Sequence, residues 1–261
     1  MTHEIKRKYG KILNTGLNST SKSKVLAFVR DSISRGYKFW ISTPNPEIIL
    51  AAEKDHQLHK ALENSDLAIP DGVGLLFAAK FLGLGEIKII KGREMFIELI
   101  KLASNKGWKV FLLGGKPGYA KSAGLNLRKT FKGVRIAYAQ GPQINSNGDP
   151  DSLEDIENQK DAIAQINEYQ PQLLFVAFGA ANPKQEKWIY KNLPKLKIGG
   201  AMGVGGTLDY LAGKAPLPPK WAEGTFEWLW RLYTQPWRFG RIIRAIILFP
   251  WKVFLSRLKS A

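Results

Sequence analysis

The sequence predicts an α/β domain with a mostly parallel sheet, followed by a basic helical appendage. Three observations predict it. Short apolar runs alternate with amphipathic helical stretches from residue 11 to about residue 213. One run, Leu173-Leu174-Phe175-Val176-Ala177-Phe178, is apolar throughout, as a strand buried on both faces of a parallel sheet must be. The composition then shifts near residue 214: from Lys214 onward stand nine Lys/Arg against two Glu, with five of the eight tryptophans. The expected division is therefore 1–213 for the α/β domain and 214–261 for the appendage.

In chain order, Lys11-Ile12-Leu13 reads as a short first strand, and Ser21 to Ser34 as a helix burying Val25, Phe28, Val29 and Ile33. Tyr37 to Ser42 is a strand. Asn45-Pro46-Glu47 then opens a helical region to about Asn64, with an N-cap, proline at the first position and an acid in the first turn. Leu67-Ala68-Ile69 is a buried strand, followed by Asp71 and a helix from Val73 to Phe81. A helix from Arg93 to Asn105 stops at Gly107. Trp108 to Leu113 is the clearest strand, with Gly114-Gly115-Lys116-Pro117-Gly118 behind it and a helix from Tyr119 to Phe131. Val134 to Tyr138 is a strand, residues 140–151 a polar loop, and Ser152 caps a helix reaching Tyr169. After the apolar strand, Gly179-Ala180-Ala181-Asn182-Pro183 turns into a helix over Lys184 to Leu193, and Ile198 to Met202 is the last strand. In the appendage a helix from Phe226 is broken at Gln235-Pro236, a basic apolar helix runs to about Leu248, and Pro250 breaks the chain again before Phe254 to Leu258.

Bulk properties narrow the function. The formal charge of +17 calls for an anionic partner: a nucleotide or diphosphate, an anionic membrane surface, or nucleic acid. No cysteine is present, which excludes disulfides, thiolate nucleophiles and Cys-ligated zinc and suits a reducing cytoplasm. The N-terminus does not read as a signal peptide, and no run of about 18 apolar residues is present to span a bilayer.

Thr43, Asp71, Gly114-Gly115, Gly179 and Gly203 all fall just past the carboxyl ends of expected strands, the edge where open α/β sheets bind ligands. Asp71, in Ile69-Pro70-Asp71-Gly72-Val73-Gly74, is either a catalytic acid–base group or the cap of the helix behind it. Gly114 to Gly118 is either a phosphate cradle or a strand-reversing turn. A dinucleotide site would add an acid after the next strand, and Tyr138-Ala139-Gln140 has none, which argues against an NAD-type oxidoreductase. Asn45 and Asn182 each precede a proline as caps do, and Gln185 stands where a capping-box glutamine would. The three histidines show no ligand spacing, and Asp149-Pro150-Asp151, though a D-x-D, sits in a polar turn loop. In the tail, Trp237, Arg238, Arg241, Arg244, the run Ile246 to Phe249, Trp251 and Lys252 either pack on the core or bind a membrane interface.

The order of motifs resembles the WecG/TagA/CpsF glycosyltransferase family: Thr43-Pro44-Asn45-Pro46-Glu47, Ile69 to Gly74, Phe111 to Gly115, Phe178-Gly179 with Pro183 to Trp188, Gly203 to Gly206, Ala215-Pro216, and Glu227 to Arg231. The resemblance covers about residues 11 to 245. It implies a Rossmann-like domain with helices on both faces and a membrane-associating C-terminal appendage. The implied reaction is an inverting, metal- and cofactor-independent transfer from a UDP-sugar to a polyprenyl-diphosphate-linked acceptor, at the inner face of the cell membrane. By motif, Asp71 resembles the general base, Thr43 a positioning hydroxyl and Gln185 an active-site polar contact. Arg231, Arg238 and Arg241 resemble the arginines that reach the diphosphate. Asn45, Gly72, Gly114, Gly115, Gly179, Asn182 and Gly205 complete the expected substrate-binding set. The family's arginine three residues before Gly92 is Ile89 here, with Lys88, Lys91 or Arg93 as candidate replacements. Its usual aspartate is Glu94, its Arg-Ala-Pro is Lys214-Ala215-Pro216, and a common phenylalanine is Thr207. N-acetylmannosamine and other hexoses all remain candidate sugars. A basic nucleotide- or RNA-binding module is the rival function, and homo-oligomerisation is left open.

Overall fold

The structure, a computed structural model, describes residues 10–179, 183–216, 218–219, 222, 227–234, 236 and 239–260, with side chains left out at 227, 231 and 260. The strands are β1 Gly10–Ile12, β2 Thr15–Leu17, β3 Phe39–Ser42, β4 Leu67–Ala68, β5 Lys109–Gly114, β6 Arg135–Ala139, β7 Leu173–Ala177 and β8 Gly200–Gly203. The helices are α1 Lys22–Ser34, α2 Pro46–Ala52, α3 His56–Glu63, α4 Val73–Phe81, α5 Gly92–Lys106, α6 Tyr119–Thr130, α7 Leu153–Tyr169, α8 Lys184–Asn192, α9 Thr207–Leu211, α10 Glu227–Thr234, α11 Phe239–Ile243 and α12 Phe249–Ser260.

Six strands form one parallel sheet in the order β4-β3-β8-β7-β5-β6. Successive side chains of a strand point to opposite faces, and both faces are covered. Val110 and Leu112 of β5 and Phe175 of β7 pack with Phe28 of α1, Phe96 and Leu99 of α5 and Leu127 of α6. Phe111, Leu113, Leu174 and Val176 pack on the other face with Ile166 of α7 and Trp188 and Ile189 of α8. The expected Rossmann-like fold with helices on both faces is therefore what the chain adopts.

Differences from expectation are local. The first strand returns as a hairpin, because Leu13 and Asn14 both adopt positive φ and β2 pairs antiparallel with β1. The helical region after Asn45 is two helices, with Asp55 accepting from the Leu58 amide at 3.0 Å to start the second. The chain is helical from Phe239 to Ser260 straight through Pro250. A proline crowds the carbonyl four residues back, and here that turn is the wider π turn Arg244–Leu248, which absorbs the conflict. Nor does α12 hang free. Phe249 and Val253 are buried with Ile12, Leu17, Ile49 and Leu75, which ties the C-terminal helix to the hairpin, α2 and α4.

Candidate active site

The chain leaves β3 outward to β4, then crosses to β5 on the far side of β8 and β7. The crevice for a ligand lies where those directions diverge, beyond the carboxyl ends of β3 and β8. A cavity of about 410 Å³ opens there, within the range of small-molecule sites. Its walls take Thr43 and Asn45 from β3, Asp71 from β4, Gly179 from β7 and Gly203 to Thr207 from β8. The start of α5 and the α11–α12 run close it.

Asp71 is not the cap of the helix that follows it. Gly72, at φ 101°, occupies that N-cap position and makes no side-chain cap bond. The Asp71 carboxylate reaches instead to a different helix, where Oδ2 accepts the Gly92 N–H at 3.1 Å, in the first turn of α5. Its own N–H donates to Pro44 O at 2.9 Å, and Ile90 N–H donates to Pro70 O at 3.0 Å. Three loops are thus pinned around one acid. A Cβ added at Gly92 would stand 3.3 Å from Thr43 Oγ1 and 3.4 Å from Asp71 Oδ2, so the hydroxyl and the carboxylate converge over this glycine.

Gln185 and Glu186 open α8, both buried and both lining the cavity. Gln185 Oε1 accepts the Gly205 N–H at 3.0 Å, which leaves its amide nitrogen to donate to Glu186 Oε1, also at 3.0 Å. Burial pushes the Glu186 carboxyl above its ordinary range, outweighing the opposite effects of the Gln185 hydrogen bond, its own backbone amide and the Lys187 charge. Lys187, itself buried, pairs with Asp55 at the start of α3. Burial acts to raise Asp55 as well, but the Lys187 hydrogen bond and charge and the Leu58 and Gln57 amides together hold it below the usual range.

Cations ring the cavity. Lys91 and Arg93 stand at the start of α5, Lys54 follows α2, and Arg241, Arg244 and Lys252 come from the C-terminal run. Arg241 Nε donates to Glu47 at 2.8 Å and Lys252 pairs with Glu53 at 3.3 Å, which docks that run on α2. Of the candidate replacements for the family arginine, Lys91 and Arg93 line the cavity and the exposed Lys88 does not; Ile89 itself packs into the cluster holding Phe249.

Of the expected site residues, Thr43, Asn45, Asp71, Gly179, Gln185, Gly205 and Arg241 meet in this cavity. Asn45 also caps α2, accepting the Ile48 amide at 2.9 Å. Gly72, Gly114 and Gly115 lie outside the lining. The sheet order sets β5 beyond β7, and the Gly115 N–H is taken by Ala177 O at 2.7 Å, so that amide is used at the sheet edge and is not offered to a ligand. A Cβ at Gly114 would come within 2.7 Å of the same carbonyl, which is why glycine stands there. Asn182, Arg238 and the Arg231 side chain lie outside the described residues. The D-x-D carboxylate Asp149 is held by Lys191 at 2.7 Å, in a turn where Asn145 Oδ1 accepts the Asn147 and Asp149 amides. Sequence reasoning passed over Glu186, Glu47 and Lys54, since acids in a first helical turn and a lysine after a helix are ordinary surface features.

A Rossmann-like fold with a strand-end carboxylate in a cation-ringed cavity is suited to an enzyme that handles an anionic substrate. The chain belongs to the glycosyl transferase WecG/TagA/CpsF family, whose model matches residues 10–261. It is similar to the N-acetylglucosaminyldiphosphoundecaprenol N-acetyl-beta-D-mannosaminyltransferase of Bacillus subtilis (strain 168), at 29% identity over 78% of this chain and 74% of the relative. The enzyme of the same name from Staphylococcus aureus (strain NCTC 8325) is 28% identical over 84% of this chain and 81% of the relative.

Proposed function

We propose that the protein is an inverting glycosyltransferase that moves N-acetylmannosamine or another hexose from a UDP-sugar to a polyprenyl-diphosphate-linked saccharide, for cell-surface polysaccharide synthesis. The observation that carries the reading is the convergence of Asp71 and Thr43 over Gly92, at the floor of a cation-ringed cavity. Asp71 takes the proton of the acceptor hydroxyl as that oxygen attacks the anomeric carbon and the bond to UDP breaks. The Gly92 N–H orients the carboxylate and Thr43 positions the hydroxyl. Leaving-group charge is met by Lys91, Arg93 and the N-terminus of α5, with no metal or cofactor required of the residues present. Arg241, with Arg231 and Arg238, engages the diphosphate, which has to displace Glu47 from the Arg241 guanidinium.

Residues 214–261 serve as the membrane-facing appendage, at the inner leaflet. From Trp228 to Ala261 the sequence has seven Lys/Arg and no Asp or Glu. Trp251 and Leu258 are 56% and 60% exposed, and Phe254 meets Phe81 of α4 at 6.2 Å between ring centroids. The apolar face thereby continues onto α4, where Phe77 is 66% exposed. Such a face suits an anionic lipid surface better than a phosphate-tracking nucleic-acid groove, and family membership favours the transferase over a basic binding module. The test is incubation of the full chain with a panel of UDP-sugars and a polyprenyl-diphosphate-linked N-acetylglucosamine acceptor, read by mass. Gain of one hexose-type residue with release of UDP is expected; no transfer from any donor to the lipid acceptor overturns the reading.

A further inference from the structure

Glu186 stands third in α8, where an acid ordinarily lies in water and favours the helix dipole. This one is 2% exposed and lines the cavity. Its two oxygens differ. Oε1 accepts from the Gln185 amide, whose orientation the Gly205 N–H fixes from the other end. Oε2 is buried with no hydrogen-bond partner among the described residues.

The groups around it do not offset the burial of its charge: the Gln185 hydrogen bond, its own backbone amide and the Lys187 charge favour the ionised form, and burial outweighs them. Lys187, the next residue, is drawn off to Asp55, and Lys184 donates to the Ile144 carbonyl. On the cavity walls Glu53 pairs with Lys252, Arg241 with Glu47, Lys54 is exposed, and Lys91, Arg93 and Arg244 complete the ring. The helix α3, which packs on α8, carries His56, His59, Lys60 and Glu63, and β7 and β8, which also pack on it, carry no titratable side chain. An ionised carboxylate with one oxygen unsatisfied in such a place is costly, and the uncharged acid is not. Since Oε1 is the acceptor, the proton of the uncharged acid belongs on Oε2, and Oε2–H becomes a donor.

We propose that Glu186 is a substrate-contacting residue whose uncharged carboxyl donates a hydrogen bond from Oε2 to an oxygen of the sugar nucleotide bound beside Asp71. This rests on the glycosyltransferase reading above. Gln185 is then the positioning residue that holds the acid in the donating arrangement, with the Gly205 amide behind it. An isosteric Glu186→Gln keeps the pattern, because its amide oxygen accepts from Gln185 and its N–H₂ donates into the cavity. Glu186→Leu keeps the bulk and removes the donor.

The test measures kcat/KM for transfer as a function of pH in the wild type, E186Q and E186L, with calorimetric binding of UDP and of the UDP-sugar. Wild-type kcat/KM is expected to fall at high pH, as the acid ionises and the donor is lost, while E186Q lacks that limb. E186L is expected to lose about tenfold, the worth of one hydrogen bond. Weaker binding of the UDP-sugar alone places the contact on the sugar; weaker binding of UDP as well places it on the nucleotide. The same high-pH limb in E186Q and wild type overturns the proposal, and does so even if E186L does not fold. A folded E186L within twofold of wild type overturns it too. A wild type that binds UDP-sugar but transfers nothing refutes the transferase reading and leaves the binding arm to decide on Glu186; one that does neither refutes both.

Discussion

Asp71 carries two separable duties, and the pair Asp71→Asn and Asp71→Ala separates them. Asparagine retains an sp² oxygen where Oδ2 now accepts the Gly92 N–H at 3.1 Å, but it cannot take a proton. Its stability effect is the loss of one negative charge at the α5 N-terminus, about 0.3–1 kcal/mol. The helix itself stays anchored by Met95, Phe96, Leu99 and Ile100, all fully buried. At about 2–4 °C per kcal/mol for a chain of this size, Tm should drop by no more than about 4 °C. Loss of a general base removes about two to four orders of magnitude from kcat. At about 1.4 kcal/mol per tenfold, that is about 3–5 kcal/mol of barrier, several times the stability effect. Alanine removes the acceptor as well, leaving the Gly92 N–H unpaired at a further cost of about 1–3 kcal/mol. The assay is initial-rate transfer at saturating substrates, beside thermal melting followed by circular dichroism. A folded Asp71→Asn enzyme with a turnover within about threefold of wild type would refute the base assignment; low activity with a collapsed melt would show only the structural duty.

Three further outcomes follow from the packing. Gly203→Ala places a Cβ 2.8 Å from Gln185 Nε2, so it should push that side chain off Glu186 and Gly205 and lower kcat/KM about tenfold while the circular dichroism spectrum is kept; unchanged kinetics would show that the Gln185 contacts are dispensable. Trp251→Ser with Phe254→Ser should sharply weaken co-sedimentation with anionic liposomes without unfolding the chain, because both residues are exposed; binding at the wild-type level would place the lipid contact elsewhere. Truncation near residue 214 is a poorer test, since it strips Phe249 and Val253 from the cluster around Ile49 and Leu75. Glu186→Gln should melt above wild type at neutral and alkaline pH and converge with it near pH 4.5: the unfolded chain ionises from its ordinary value of 4.5 upward while the folded state holds the proton to higher pH, so wild-type stability falls across that window. Parallel melting curves across this range would show that Glu186 ionises normally.

The strand runs and the Ser21, Asn45 and Ser152 caps were legible because each obeys a local rule that the fold does not override. The edge of the sheet was legible for the same reason: glycine and an acid after apolar runs mark strand ends whatever the sheet order. What local rules cannot supply is the order of strands. Gly114-Gly115 and Gly203-Val204-Gly205 read alike as glycine turns, yet only the second borders β3 and opens into the cavity. Likewise Pro250 obeys a rule about helix interiors, and the π turn before it satisfies that rule without ending the helix.

Asp71 shows how the two kinds of information differ in what they decide. Its position before Val73 suggested a cap, and capping chemistry is indeed what its carboxylate performs, but toward Gly92, 21 residues on. A cap for its own helix would aim the side chain along α4, away from β3. Turned toward α5 instead, it faces the Thr43 hydroxyl across one glycine. The helix N-terminus steadies the carboxylate. Any power it has as a base comes from holding one oxygen fixed beside the acceptor hydroxyl, which is a matter of geometry. Shifting the carboxylate outward by one methylene, as in Asp71→Glu, keeps its charge and basicity but not that placement, and its turnover should fall toward that of Asp71→Asn.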